Sequence, residues 1–197
     1  MTGANKNTTK LPDMGLRRLI AADLFRIDRR TGVKELLRQL AVNRAYRAVF
    51  TYRLCKWLRT NSSFWAKLFF PMAYLAHRFL TGALCSEIPI GADIGSGFLL
   101  LHGYGVVINR GAVIGKNATV FHQVTLGATS RGVPNIGNQV VLGAQAMVLG
   151  PVSVGDEATI GAGSVVLKDV VANSIVAGNP AQTIADGVPS RAKNVLL

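Results

Sequence analysis

The side chains best suited to acid–base chemistry are two histidines, His102 and His122, which lie twenty residues apart. The remaining histidine, His77, falls in a separate apolar segment, and we assign it no role. A zinc site built on histidines needs a further ligand, so we expect no metal. No Gly-x-Ser-x-Gly motif is present to supply a serine nucleophile. General base catalysis by one histidine remains, because imidazole gains and loses a proton near neutral pH.

A period of six residues determines where these histidines lie. It matches neither the 3.6-residue period of a helix nor the two-residue period of a strand. It predicts a parallel β-helix, in which three hexapeptides close one triangular coil around the aliphatic side chains. The aliphatic series are Ile88, Ile94 and Leu100; Ile108, Ile114, Val120 and Leu126; and Ile136, Leu142, Val148, Val154, Ile160 and Val166.

The period is interrupted twice. Two extra residues enter between Leu100 and Ile108, around His102, and four more enter within residues 128–135. His102 and His122 each stand two positions after an aliphatic residue, so we expect them to stack on adjacent coils of one face. Bulges and loops in a regular fold are common functional positions, and this favours a functional role for both histidines.

Basic charge is concentrated in the first part of the chain. Residues 1–87 hold 16 Lys and Arg against 5 Asp and Glu, whereas residues 88–197 hold 6 against 5. A solvated helical face and docking on an anionic membrane surface or a phosphate-bearing acceptor both explain this excess. We expect no nucleic acid partner, since no nucleic-acid-binding motif accompanies the charge.

The chain divides into four expected regions: a disordered tail of residues 1–12, a basic α-helical segment of residues 13–86, the β-helix of residues 87–184 and a C-terminal tail of residues 185–197. The α-helical segment has helices near residues 16–30, 33–60 and 63–80, the last of which is expected to pack on the open end of the solenoid. That last helix is too short and too interrupted to predict a membrane span.

The expected location is the cytoplasm, with peripheral contact at the inner membrane face as a further expectation. Cys55 and Cys85 form no disulfide framework, and the first ten residues lack the apolar core of a signal peptide.

Four stretches within residues 82–184 resemble the serine O-acetyltransferase group of the hexapeptide-repeat acyltransferases. They read EIPIGADIG at 87–95, HGYGVVI at 102–108, VTLG at 124–127 and IGAGSVV at 160–166. The resemblance implies a left-handed parallel β-helix, a homotrimer, and acetyl-CoA as the co-substrate.

The resemblance also implies roles for individual residues. His102 matches the catalytic base, and Glu87 matches the acid that orients it. We add His122 as a hydrogen-bond donor to the developing oxyanion, and we place Tyr104 and Arg131 at the acceptor substrate. The residues implied to bind the cofactor are Gly127, Ala128, Gly143, Ala144, Gly161, Ala162 and Lys168.

The chain departs from the serine O-acetyltransferase pattern at the acceptor side. Leu101 stands where the group has an aspartate, Arg110 stands where it has a glutamate, and the loop near Arg131 lacks the group's second histidine. The pattern HGYGVVIN instead resembles the branch associated with colanic acid and other exopolysaccharides. We therefore expect the acceptor to be a sugar hydroxyl of an exopolysaccharide or its lipid-linked precursor. A serine O-acetyltransferase and a non-catalytic scaffold for glycan assembly are the alternatives.

Overall fold

The computed structural model describes residues 14–187, in which four helices precede a solenoid of short strands. The expected disordered tail of residues 1–12 lies outside the described residues, as do residues 188–197. The helices are α1 (Leu16–Asp28), α2 (Val33–Val42), α3 (Arg44–Thr60) and α4 (Phe64–Gly82).

The segment expected to be one helix over residues 33–60 is two helices that meet at Asn43. This residue is extended, with φ −102° and ψ 101°, and its side chain accepts a hydrogen bond of 3.0 Å from the backbone N–H of Tyr46. An asparagine in this geometry is a good N-cap because it satisfies a helical N–H that has no partner within the helix. The break therefore has a local cause in the sequence.

Residues 93–185 form the strands of a left-handed parallel β-helix, as predicted. Most of these strands are only two residues long, which is what a six-residue repeat with a turn in each repeat allows. The strands are β1 (Asp93–Ile94), β2 (Leu99–Leu100), β3 (Val107–Ile108), β4 (Val113–Ile114), β5 (Thr119–Val120), β6 (Thr125–Gly127), β7 (Asn135–Ile136), β8 (Val141–Leu142), β9 (Met147–Leu149), β10 (Ser153–Val154), β11 (Thr159–Ile160), β12 (Val165–Val166), β13 (Ile175–Gly178) and β14 (Ala181–Ala185).

Three sheets form the faces of the prism. The first face contains β1, β4, β7 and β10; the second contains β2, β5, β8, β11, β13 and β14; the third contains β3, β6, β9 and β12. All pairs are parallel except the last, because β14 folds back antiparallel on β13. The aliphatic repeat fills the interior: Ile114, Leu126, Val148 and Ile160 have no exposed surface.

The glycines that follow the aliphatic residues are required by the close approach of stacked turns. A Cβ atom on Gly95 would lie 2.6 Å from the carbonyl carbon of Gly115, and one on Gly115 would lie 2.5 Å from that of Gly137. Gly95, Gly115 and Gly137 do not have a positive φ, so the turn conformation itself does not require glycine at these positions. The left-handed turn positions fall two residues later, where polar residues hold most of them (Asn117, Gln123, Gln139, Gln145, Glu157 and Asn173) and Gly97 and Gly163 hold two more.

Helix α3 covers the open end of the solenoid, a position that we had predicted for the segment containing α4. Ala45, Ala48, Val49 and Tyr52 join the same buried cluster as the aliphatic prism. The Tyr52 hydroxyl donates a 2.8 Å hydrogen bond to the carbonyl of Ala92 in the first coil.

A buried ion pair completes this cover. Arg53 and Asp23 are 2% and 1% exposed, and Arg53 Nε lies 2.8 Å from Asp23 Oδ2. The other guanidinium nitrogens of Arg53 donate to the carbonyls of Ile94 and Gly95, and Asp23 accepts a 2.9 Å hydrogen bond from the N–H of Phe98. Burial raises the pKa of the Asp23 carboxyl, and the adjacent guanidinium acts in the opposite direction. The pair thus satisfies backbone groups at the edge of the first coil.

Helix α4 packs on α3 and leaves a long apolar face exposed. Phe64, Leu75 and Phe79 are each more than 70% exposed, and the helix carries Lys67 and Arg78 but no acidic residue. No helix within residues 14–187 is both long enough and apolar enough to cross a membrane. Contact of this face with an anionic membrane surface stays a prediction.

Replacing Arg53 with methionine should lower the free energy of unfolding by about 3–5 kcal/mol, because the Asp23 carboxylate would be left buried without its partner. Urea unfolding followed by circular dichroism measures this loss. The matched control is Arg38→Met, which breaks the ion pair with Asp28 at a position where the arginine is 56% exposed and should cost about 0–1 kcal/mol. Similar losses in the two variants would contradict the role given to the buried pair.

Candidate active site

His102 lies in the insertion between β2 and β3, and its backbone is left-handed, with φ 63°. At the same corner of the regular coils, the left-handed residue is the third after the aliphatic residue, as for Gln123 and Gln145. In the insertion the third residue after Leu100, Gly103, is left-handed as well (φ 58°), and His102, the second, is an additional left-handed position. A left-handed conformation costs a residue with a Cβ about 1–2 kcal/mol, and such strain is concentrated at functional sites.

The insertion is anchored on both sides. The Ser86 hydroxyl donates a 2.7 Å hydrogen bond to the carbonyl of Gly103 and accepts one of 3.0 Å from the N–H of Val106. A Cβ atom on Gly103 would lie only 2.9 Å from the Cβ of Ala45, so the insertion rests directly on the first turn of α3. His102 therefore projects from a rigid support although its side chain is exposed.

The two histidines lie together, as the spacing predicts. Their ring centroids are 5.9 Å apart with an interplanar angle of 75°, and the ring of Tyr104 lies 6.5 Å from that of His122. His122 Nδ1 is buried and has no hydrogen-bond partner among the described residues. This nitrogen therefore has unused hydrogen-bonding capacity, but it is closed to solvent in the free chain.

The corner that bears the histidines continues as a column of small residues. The turns that follow β2, β5, β8 and β11 place His102, His122, Ala144 and Ala162 one above another; we call this column the histidine corner. The N–H of Gln145 donates to the carbonyl of His122 at 3.0 Å, and the same contact joins Gly163 to Ala144 at 2.8 Å. With alanines above the histidines, a linear molecule has room to lie along this corner.

The other residues expected to bind the cofactor lie at a different corner. Ala128 and Lys168 follow β6 and β12 on the third face, in one column with Arg110; we call this the loop corner. The loop of residues 128–135, which carries Arg131, leaves the prism here. One chain therefore does not bring all the expected cofactor-binding residues together.

Glu87 pairs with the strand that follows the His102 insertion, but Glu87 and His102 line different cavities. Glu87 pairs with Val107 at the start of the third face, and its side chain lines a cavity of about 570 Å³ together with Arg78 and Arg110. No hydrogen bond joins Glu87 to His102 within residues 14–187. The expected orienting role of Glu87 stays a prediction.

His102 and Tyr104 line a second cavity, of about 530 Å³, between the solenoid and the helices. The helical wall of this cavity includes Gln39, Asn43 and Arg44 at the junction of α2 and α3. These residues were not predicted to be functional, because the sequence predicts one helix where the structure has two. Asn43 was the signal in the sequence that could have shown the break, because asparagine is a common N-cap residue. Arg131, which was expected at the acceptor, does not line this cavity.

His77 has a structural role. Its Nε2 lies 2.8 Å from the carbonyl oxygen of Ile88, which can only accept, so Nε2 carries the proton and Nδ1 accepts from the Thr51 hydroxyl at 2.9 Å. Burial lowers the pKa of His77, which favours this neutral form. Within the described residues no group of three or more His, Cys, Asp or Glu could hold a metal ion.

Comparison with known proteins identifies relatives along most of the chain. The model of the family "Bacterial transferase hexapeptide (six repeats)" matches residues 134–168. Serine acetyltransferase of Mycobacterium tuberculosis is 38% identical over 147 residues, which cover 73% of this chain and 62% of the relative. That of Synechococcus elongatus is 37% identical over 173 residues, covering 84% and 67%. The chain spans less than two thirds of the Mycobacterium protein and 63% of a serine acetyltransferase of Helicobacter pylori that is 47% identical over 111 residues, or 54% of this chain.

The solved structures that are similar to this chain are also serine acetyltransferases. Serine acetyltransferase of Brucella abortus superposes with a TM-score of 0.72 at 32% identity, covering 87% of this chain and 69% of that one. The Neisseria gonorrhoeae enzyme, solved in complex with serine, has the same TM-score and identity, with coverages of 86% and 69%.

The expectation of an exopolysaccharide acceptor is wrong, because these relatives and structures are serine acetyltransferases. That expectation rested on substituted side chains near the site, such as Leu101 and Arg110. Losing a contact to one acceptor does not by itself create affinity for another. The expected membership in the hexapeptide-repeat acyltransferases is confirmed, but the proposed exopolysaccharide branch is not.

Replacing His102 with glycine should leave the free energy of unfolding unchanged or raise it, because glycine adopts a positive φ without the steric cost. His102→Val should lower it below that of the parent chain, since a β-branched residue is tolerated even less well than histidine at a positive φ. Urea unfolding of the two variants beside the parent chain measures the difference. If valine were tolerated as well as glycine, the strain assigned to this position would be disproved.

Proposed function

The chain belongs to the serine acetyltransferase family of hexapeptide-repeat acyltransferases, and from this membership we propose that it transfers an acetyl group from acetyl-CoA to the hydroxyl of serine. The observation that supports this most directly is the position of His102. It stands on a rigid, strained insertion between an open cavity on one side and a corner lined by small residues on the other. Two substrates can thus approach one base from different directions.

In the proposed mechanism His102 removes the proton from the serine hydroxyl as the oxygen attacks the thioester carbon. The carbon–sulfur bond then breaks, and the proton passes from the imidazolium to the sulfur of CoA. Glu87 is proposed to orient His102 in the substrate complex, since catalytic hydrogen bonds are often long in the absence of substrate. His122, whose ring lies beside that of His102, is proposed to stabilise the oxyanion.

Acetyl-CoA is proposed to lie along the histidine corner. Gly143, Ala144, Gly161 and Ala162 leave room for the pantetheine chain and expose backbone groups that can bind it. A serine acetyltransferase from Brucella abortus has been solved with coenzyme A and is 31% identical to this chain, with a TM-score of 0.71 and coverages of 87% and 68%.

We further propose that the protein is a homotrimer, because the residues assigned to the cofactor occupy two separate corners of one chain. Packing the histidine corner of one subunit against the loop corner of its neighbour would bring Gly127, Ala128 and Lys168 to the same groove. Head-to-tail contacts of this kind form a closed ring when the rotation between neighbours closes, and the resemblance to the hexapeptide-repeat acyltransferases implies three subunits. Tyr104 and Arg131 are proposed to contact the acceptor, with Arg131 acting from the neighbouring subunit.

Enlarging a corner alanine should block the cofactor groove without disturbing the fold. Ala144→Phe should raise the KM for acetyl-CoA at least tenfold, because the ring would occupy the proposed path of pantetheine. The matched control is Ala172→Phe, at the equivalent turn position after the first face, where Ala172 is exposed. Thiol release with varied acetyl-CoA measures the KM, and equal values for the two variants would remove the histidine corner as the cofactor site.

Thiol release from acetyl-CoA with L-serine tests the proposed reaction. The parent chain should turn over, and His102→Ala should reduce kcat/KM by about 10²–10⁴-fold through loss of general base catalysis. His77→Gln serves as the control histidine, because His77 does not line the cavity beside His102. No release with serine would overturn the proposed activity, and near-normal release in His102→Ala would overturn the assignment of the base.

A further inference from the structure

The cavity beside His102 has an uneven distribution of charge. Its floor is apolar, formed by Leu99, Leu100 and Leu101 with Ile27 and Val42 opposite. Among all the residues that line it, Arg44 is the one permanent charge, and neither aspartate nor glutamate is present. Within one chain, a ligand that extends from His102 into this cavity therefore meets Arg44 as its one cation and no carboxylate, and Arg131 of the neighbouring subunit would add a second cation.

Asp28, whose partner Gln39 lines the cavity, already has hydrogen-bond and ion-pair partners. Asp28 pairs with Arg38 and also accepts a 2.7 Å hydrogen bond from the Gln39 side chain. Gln39 in turn accepts a 3.1 Å hydrogen bond from the side chain of Asn43. Asp28 is thus neutralised behind the cavity wall and is not presented to a ligand.

Arg44, in contrast, has no ion pair or side-chain hydrogen bond with any described residue. It is the first residue of α3, held by the Asn43 cap on one side and by Ala45 on the other. Ala45 packs against the insertion that carries His102, as the close approach at Gly103 shows. The backbone of Arg44 is therefore fixed relative to the insertion that carries His102, and Ala45, the next residue, is the one that contacts the insertion.

We propose that Arg44 binds the carboxylate of the acceptor and that the cavity does not recognise the acceptor's amine. This inference rests on the proposed serine acetyl transfer. A guanidinium binds a carboxylate through two parallel hydrogen bonds, which fix the orientation of the bound group as well as its position. With the carboxylate on Arg44, the hydroxyl of a short acid can point to His102.

The acceptor class is accordingly that of small hydroxy acids, of which serine is one. With Leu101 at the floor and no acid in the lining, a missing amine leaves no buried partner unsatisfied. The site therefore has little means to reject a hydroxy acid without one. The reaction is unchanged: the hydroxyl oxygen bonds to the acetyl carbon, the carbon–sulfur bond breaks, and the hydroxyl proton reaches the CoA sulfur through His102.

Three acceptors separate recognition of the carboxylate from recognition of the amine: L-serine, 3-hydroxypropionate, which lacks the amine, and L-serinamide, which lacks the carboxylate. In thiol-release assays the parent chain should use serine and 3-hydroxypropionate with kcat/KM values within about tenfold of each other. Serinamide should be at least about tenfold poorer than serine, since hydrogen bonds to a charged group contribute about 1.5–3 kcal/mol.

The Arg44→Ala variant should lose about 10–100-fold in kcat/KM for the two acids, mainly through KM, and little for serinamide. Arg44→Lys should recover part of the loss. Lys67→Ala is the matched control, because it removes one exposed positive charge from α4, away from the cavity. Circular dichroism and thermal unfolding establish that each variant is folded.

The outcomes distinguish this inference from the proposed function. An equal loss for serine and serinamide in Arg44→Ala would show a structural role and overturn the assignment of Arg44. Good turnover of serine with rejection of 3-hydroxypropionate by the parent chain would show that the amine is recognised. If the parent chain used none of the three acceptors, the proposed function would fail, and this inference with it.

Discussion

The structure depends on the short distance between stacked coils. Parallel backbone hydrogen bonds hold neighbouring strands about 4.8 Å apart, and the turns at the corners must stack at the same spacing. Where backbone meets backbone, as at Gly95, Gly115 and Gly137, no Cβ fits between the coils. Any residue beyond the six of a repeat must leave the prism. The insertion at His102 and the loop at residues 128–135 are therefore outward projections on a surface whose spacing is fixed.

This constraint made much of the fold predictable. The six-residue period alone predicts the prism, its buried aliphatic positions and the stacking of His102 with His122, because each follows from counting residues along a rigid repeat. Interactions between distant segments were harder to predict. That α3, and not α4, covers the first coil depends on the buried pair of Asp23 and Arg53, thirty residues apart in the chain, which no local pattern reveals.

In the candidate site, too, residues of the repeat were predictable from the sequence, and residues on the helices were not. The residues of the insertion were found from the sequence, whereas Arg44 was missed because its relevance arises only where a helix end meets the solenoid. The acceptor was misjudged for a related reason. Substitutions at Leu101 and Arg110 indicate which contacts are lost, whereas the replacement that we propose, Arg44, lies on a separate element. In this proposal the solenoid supplies the base, and the helices supply a contact that selects the acceptor.

A repeat of this kind has no intrinsic length, since each new coil offers the next one the same ladder of backbone groups. On the second face antiparallel β14 ends that ladder, because it occupies the outer edge of β13 with a strand of opposite direction. At the other end, Arg53 and Tyr52 occupy carbonyls that another strand would need. A sequence able to stack without limit is thereby kept from joining end to end with its copies into fibres, and the protein remains a particle of defined size.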